Sequence, residues 1–128
     1  MTVSLPFPPS TNHAYATVNG RRVKTAAARA YAQEVAWRVA EHARALTQAE
    51  LPLPDLTSER LKVSIVVHAP DGRRRDLSNL EKIATDAVFK QLGLDDSQID
   101  RLEITRGAKS RNGGSLTYTL ATDDKAPF

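Results

Sequence analysis

The sequence predicts an α+β domain with a small mixed or antiparallel sheet and two main helices. Three observations carry this. Strand-like alternation recurs in short stretches, most cleanly at Leu61, Val63, Ile65 and Val67 against Lys62, Ser64 and His68. Only two stretches keep a helical period. The last two strand-like stretches follow one another through a short turn, so strand and helix do not alternate as in a doubly wound fold.

The elements follow in order. Val3 and Leu5 alternate with polar neighbours and predict a first strand, which Pro6, Pro8 and Pro9 stop. Residues 8–13 read as a rigid loop. Residues 15–24 read as a hairpin, with Asn19-Gly20 supplying the two positive-φ positions of a type I′ turn between Val18 and Val23. Its second arm carries Arg21, Arg22 and Lys24. That arm suits a phosphate backbone, and equally suits an edge strand charged against aggregation.

Residues 25–46 form the longest helical pattern, with Ala28, Tyr31, Val35, Val39 and Leu46 on one face. Trp37 falls on the opposite side with Ala26 and Ala30. Two apolar faces on one helix imply a second partner surface, either another copy of the chain or a loop folded over Trp37. Residues 47–59, with Pro52 and Pro54, read as a connector to the strand at 61–68. Residues 77–92 form the second helix, with Leu80, Ile83, Ala84, Ala87 and Val88 inward and Gly93 in the place of a left-handed C-cap. Leu102 and Ile104 mark the next strand. Leu116, Tyr118 and Leu120 mark the last, after the Asn112-Gly113-Gly114 turn. The domain is expected over 1–121, with a polar, fraying tail over 122–128.

Composition narrows the function classes. The 128 residues are 41% hydrophobic, enough for one core and too few for two comfortable domains. Absence of cysteine excludes a disulfide scaffold, a thiolate zinc site and a cysteine nucleophile. No apolar run approaches the roughly 18 residues of a membrane span. Met1 to Ser10 lacks the basic start and apolar stretch of a signal peptide, so a reducing, cytoplasmic setting is expected. The net charge of +3 permits nucleic-acid binding without demanding it. Arginine, the better phosphate fork, outnumbers lysine 12 to 6, and Arg73, Arg74 and Arg75 stand in a row.

The densest polar constellation is Asp71-Gly72-Arg73-Arg74-Arg75-Asp76-Leu77-Ser78-Asn79-Leu80-Glu81-Lys82, at the start of the second helix. Asp95-Asp96 follows the same helix. Carboxylates beside an arginine run are what a metal-dependent phosphodiesterase needs: arginines hold phosphates, carboxylates hold hard cations. Each residue also has a structural reading. Asp76 is a candidate helix N-cap. Ser78 and Glu81 match a capping box. Asp95-Asp96 matches a turn, and Lys82 matches an i,i+4 partner for Asp86. Asn79, Lys82 and Asp86 share one helix face, which favours a polar site there. His13 and His68 have no zinc-like spacing and read as structural.

Three stretches, in this order and spacing, resemble the RusA family of Holliday junction resolvases of phages and prophages. They are Leu5-Pro6-Phe7-Pro8-Pro9-Ser10-Thr11-Asn12, Pro70 through Lys82, and Gly93-Leu94-Asp95-Asp96-Ser97-Gln98-Ile99. The resemblance implies a homodimer that binds four-way DNA junctions in recombination and repair. It implies paired symmetric nicks that a ligase can seal, with Mg²⁺ or Mn²⁺ as cofactor. It implies Asp76 and Asp96 as catalytic metal ligands and Lys82 as the cation at the scissile phosphate; Asp95, beside Asp96, is a further candidate ligand. Arg73, Arg74 and Arg75 match the family's basic approach to the site. Asn12, Arg21, Arg22 and Lys24 are the other candidate DNA contacts, and Ala26, Ala30 and Trp37 the candidate dimer contact. The departure is Ser78, where the family usually has aspartate. It leaves three readings: Asp95, Asn79 or Glu81 compensates as a ligand or through water, the site works with one metal at lower activity, or the protein binds junctions and does not cut.

Overall fold

The computed structural model describes residues 1–10 and 14–123. Among these residues, six strands and two helices run in the order β1 (Thr2–Pro6), β2 (Tyr15–Val18), β3 (Arg21–Lys24), α1 (Ala26–Gln48), β4 (Leu61–His68), α2 (Leu77–Leu92), β5 (Ile99–Arg106) and β6 (Ser115–Thr122). A 3-10 turn at Asp96–Gln98 precedes β5. The main sheet has the order β1-β6-β4-β5, and β2 and β3 form a separate hairpin. β4 and β5 are parallel and β6 is antiparallel to both its neighbours, which makes the sheet mixed as expected. No helix among the described residues is long and apolar enough to cross a membrane.

The alternation in β4 sets the core. Leu61, Val63, Ile65 and Val67 are buried, while Lys62, Ser64, Val66 and His68 stay half-exposed. Leu5, Leu116, Tyr118 and Leu120 extend this apolar face across the sheet. Tyr31, Val35 and Val39 of α1, and Leu80, Ala84, Val88 and Phe89 of α2, close over it. Each fully buried aliphatic or phenyl side chain contributes about 1.5–3 kcal/mol before entropy is counted. Two hydroxyls stitch the layers. Tyr31 donates to the Pro6 carbonyl at 2.9 Å. The Tyr118 and Thr85 hydroxyls lie 3.0 Å apart in the interior, satisfying both polar groups.

The helix ends follow local chemistry. α1 starts after Thr25, whose hydroxyl accepts from Ala28 N–H, and runs two residues beyond the expected end at Leu46. α2 ends at Gly93, which takes a left-handed φ of 70°. The hairpin turn has φ of 52° at Asn19 and 76° at Gly20, as a primed turn requires.

Two expectations are corrected. Ser78 and Glu81 do not form the capping box, because Asp76 takes the N-cap and leaves Ser78 inside the first turn. The last two strands, though joined by a short segment, are not neighbours. β6 carries three fully buried apolar residues and takes the inner position between β1 and β4. β5, with exposed Asp100, Arg101, Glu103 and Arg106, suits an edge. The joining segment therefore passes the end of β4, where Gly107 N–H donates to Val67 O and Ser110 N–H to Ala69 O. Thr122 closes β6, and Asp123 N–H donates to Arg60 O.

Candidate functional site

The segment between β4 and α2 is braced by its own charges. Asp71 Oδ1 accepts from Arg73 N–H at 2.9 Å and from Arg75 Nη1 at 2.8 Å. The Arg75 guanidinium also lies 5.0 Å from the Phe7 ring centre, and Arg106 donates to the Arg75 carbonyl. The arginine run thus divides. Arg75 is largely covered and holds the loop shape, whereas Arg73 has an 83% exposed side chain and Arg74 is exposed too.

Hydrogen bonding from Arg75 holds the Asp71 carboxyl down, from 3.8 to about 2. A carboxyl depressed on folding stabilises the fold above its ordinary range. That contribution is lost as pH falls through about 2. NMR titration should therefore give Asp71 a pKa near 2, and Arg75→Gln should return it toward 3.8. An unchanged value in the variant would remove this brace.

A cleft of about 480 Å³ opens beside this loop. It is lined by Pro8, Pro9, Arg73 and Arg74, and by Asp76 and Asn79 at the start of α2. Asp76 Oδ1 accepts from Ser78 N–H at 3.0 Å and from the Ser78 hydroxyl at 2.7 Å. The Ser78 hydroxyl bond, followed by the Ser78 backbone bond, holds the Asp76 carboxyl below the usual carboxylate range. Exposed arginines above a helix N-terminus make an anion-binding surface.

A second cleft of about 330 Å³ lies between α2 and β5. It gathers Glu81, Lys82, Asp86, Asp96 and Asp100 around the wall made by Thr85 and Leu102. Lys82 Nζ is 3.9 Å from Asp86. Burial pushes the Glu81 carboxyl upward, against a hydrogen bond with Thr85 and the Lys82 charge. Asp95 caps the 3-10 turn instead, accepting from Ser97 N–H at 2.8 Å. Its turn partner Gln98 donates to the Leu56 and Glu59 carbonyls and ties the connector down.

The structure therefore brings some expected site residues together and keeps others apart. Lys82 and Asp96 share the α2–β5 cleft. Asp76 and Asn79 share the other. The face expected to unite Asn79, Lys82 and Asp86 is divided between the two. Among the described residues, no three acidic or histidine side chains are placed to hold a metal ion. The donor chemistry of Asp76 and Asp96, all oxygen, is right for a hard cation.

Arg21, Arg22 and Lys24 are exposed on β3, with the Arg22 guanidinium 4.1 Å from the Tyr15 ring centre. Ala26, Ala30 and Trp37 are exposed on α1. Trp37 is 61% exposed, so the alternative of a loop covering it is not met. Asn12 lies outside the described residues. Sequence reading missed Thr85 and Asp100 as walls of the α2–β5 cleft. The i,i+4 spacing of Glu81 and Thr85 was a local signal for the first. Asp100 had none, since its partner Arg60 lies 40 residues away.

Comparison with known proteins adds the context. The family model for endodeoxyribonuclease RusA matches residues 6–116. The crossover junction endodeoxyribonuclease RusA of Escherichia coli (strain K12) is 36% identical over 120 residues, covering 93% of this chain and 92% of that protein. The similarly named protein of Shigella sonnei (strain Ss046) is 35% identical over 120 residues, with the same coverage of 93% and 92%. That of Enterobacteria phage 82 is 34% identical over 119 residues, covering 92% of this chain and 91% of its own.

Proposed function

Because this chain belongs to the RusA endodeoxyribonuclease family, we propose that it resolves four-way DNA junctions by paired symmetric nicks. The observation that carries this reading is the surface along α2. Exposed arginines stand at its N-terminal cleft, and Lys82 with Asp96 lines the cleft on its other side. Arginines hold backbone phosphates, and the hairpin cations Arg21, Arg22 and Lys24 extend the positive surface. Water attacks phosphorus in line, the P–O3′ bond breaks, and the nick carries a 3′-hydroxyl and a 5′-phosphate that a ligase can join. Lys82 Nζ stabilises the extra negative charge on the phosphoryl oxygens.

Mg²⁺ or Mn²⁺ is the proposed cofactor, and Asp76 and Asp96 the carboxylates assigned to it. Bound there, the ion would supply a Lewis acid for the scissile phosphate and a more acidic water. Two cuts at symmetric positions require two active sites, which a two-fold homodimer provides. Ala26, Ala30 and Trp37 are its proposed contact. Trp37→Glu should turn a dimer into a monomer in sedimentation equilibrium at micromolar concentration. A variant that stays dimeric would take α1 out of the interface. The setting proposed for this work is the bacterial cytoplasm.

The test is cleavage of a labelled mobile four-way junction beside a linear duplex at one stated salt concentration. Paired nicks in the junction, abolished by EDTA and restored by Mg²⁺ or Mn²⁺, are expected. Junction binding without nicks favours the reading of a non-cutting junction binder. One observation supports that reading: Ser78 is neutral and its hydroxyl occupies Asp76 Oδ1. In that case Ser78→Asp should create cutting.

A further inference from the structure

The β2–β3 hairpin is built unlike the rest of the molecule. Its register pairs Tyr15 with Lys24, Ala16 with Val23, Thr17 with Arg22 and Val18 with Arg21. Side chains alternate along a strand, so the ribbon has two distinct faces. One carries Tyr15, Thr17, Arg22 and Lys24. The other carries Ala16, Val18, Val23 and Arg21. On that second face Val18 is 52% exposed and Val23 39% exposed, although both are β-branched aliphatics in a strand. Among the described residues the hairpin joins no other strand. A two-stranded ribbon left alone in water is marginal at best, so an exposed apolar face on it is a cost that a partner would relieve.

The place of the hairpin decides which partner. Its base is closed by Thr25 N–H donating to the Ala14 carbonyl. There Tyr15 and Lys24 line a small recess with Ile83 and Asp86 of α2. Ile83 also lines the arginine cleft, and Asp86 the α2–β5 cleft. The ribbon thus rises from the ground between the two clefts of the candidate site. Its cations continue the positive surface that begins at Arg73 and Arg74. The Arg22 guanidinium stacked on Tyr15 stiffens the basic face.

We propose that this hairpin is a wedge for the branch point of a DNA junction: its Arg22–Lys24 face lies on a phosphate backbone, and Val18 and Val23 pack against base-pair faces exposed where the arms meet. This rests on the function proposed above and adds the element that tells a junction from a duplex. A linear duplex buries both faces of every interior base pair, whereas an open branch point exposes some. Apolar side chains on such faces recover part of the stacking lost when the junction opens. A second copy of the chain is the weaker occupant. Three small side chains offer far less than the roughly 800 Å² that each partner of a stable dimer buries. Arg21 on the same face also favours a polyanion.

The test uses the full chain and a junction of fixed sequence with 2-aminopurine at a branch-point base pair, in EDTA so that nothing is cut. Wild-type protein should raise the 2-aminopurine emission several-fold on binding. Val18→Ser combined with Val23→Ser, outside the core, should abolish most of that rise. It should also lower the ratio of junction to duplex affinity by about tenfold, from the methyl groups removed. Arg22→Ala with Lys24→Ala should instead weaken binding to both DNAs and flatten the salt dependence. An emission rise equal to wild type in the valine variant would overturn the wedge. So would a shift of that variant from dimer to monomer in sedimentation, which would give the apolar face to a protein contact. Wild-type protein that binds junction and duplex equally would overturn the proposed function itself, an outcome read before any hairpin variant is made.

Discussion

Asp76→Asn should lower junction nicking by about 100-fold or more while junction affinity stays within a few-fold. The choice of asparagine matters because Asp76 has two roles in this fold. It caps α2, accepting from Ser78 N–H and the Ser78 hydroxyl, and it lines the arginine cleft. Asparagine caps a helix about as well as aspartate, so the substitution removes charge and leaves the helix start intact. Asp76→Ala removes both. It should cost about 1 kcal/mol of stability, or roughly 3–6 °C in Tm for a domain of this size. Nicking and Tm measured on both variants separate the roles. Full nicking by Asp76→Asn would sink the catalytic assignment. Lost nicking with an equal loss of Tm in both variants would mean that the cap alone had been tested.

Gly114→Ala should destabilise the fold by about 3 kcal/mol, while Gly113→Ala costs about 1 kcal/mol. Both glycines have positive φ, 86° at Gly113 and 79° at Gly114. Their surroundings differ. A Cβ on Gly113 meets nothing within 4 Å. A Cβ on Gly114 would lie 2.7 Å from Pro70 Cδ, 2.9 Å from Phe7 Cδ1 and 3.0 Å from the His68 carbonyl oxygen. Backbone strain is common to both variants, so the difference between them measures the crowding. Because Phe7 carries the Arg75 guanidinium, the shift should also loosen the arginine loop. Urea unfolding of the two variants checks this, and equal midpoints would refute the crowding account.

Much of this architecture is legible in the residues, and the illegible parts share a cause. The β4 alternation, the Asn19-Gly20 turn and the Gly93 cap are local, so spacing alone reveals them. Spacing cannot say that β6 enters the sheet beside β4, because that depends on comparing the buried face of β6 with the charged β5. The site behaves in the same way. Asp76, Lys82 and Asp96 stand in recognisable motifs, yet their division between two clefts follows from the way β5 packs along α2. The Asp71–Arg75 brace shows why a run of like charges misleads. Three arginines look equivalent in sequence, and one of them is used to hold the loop. Ser78 was misread as a cap for a simpler reason: two candidate caps stood two residues apart, and the first of them took the helix.

The inner position of β6 also orders events in time. β4, α2 and β5 form a contiguous unit spanning residues 61–106, whose contacts close short loops. Among the described residues β1 pairs in the main sheet with β6 alone, Thr2 with Thr119. Such distant pairing is entropically slow. The first strand must therefore wait for β6 before it can pair, with Leu5 unburied in the meantime. β6 is the strand that joins β1 and the β4–α2–β5 unit into one sheet.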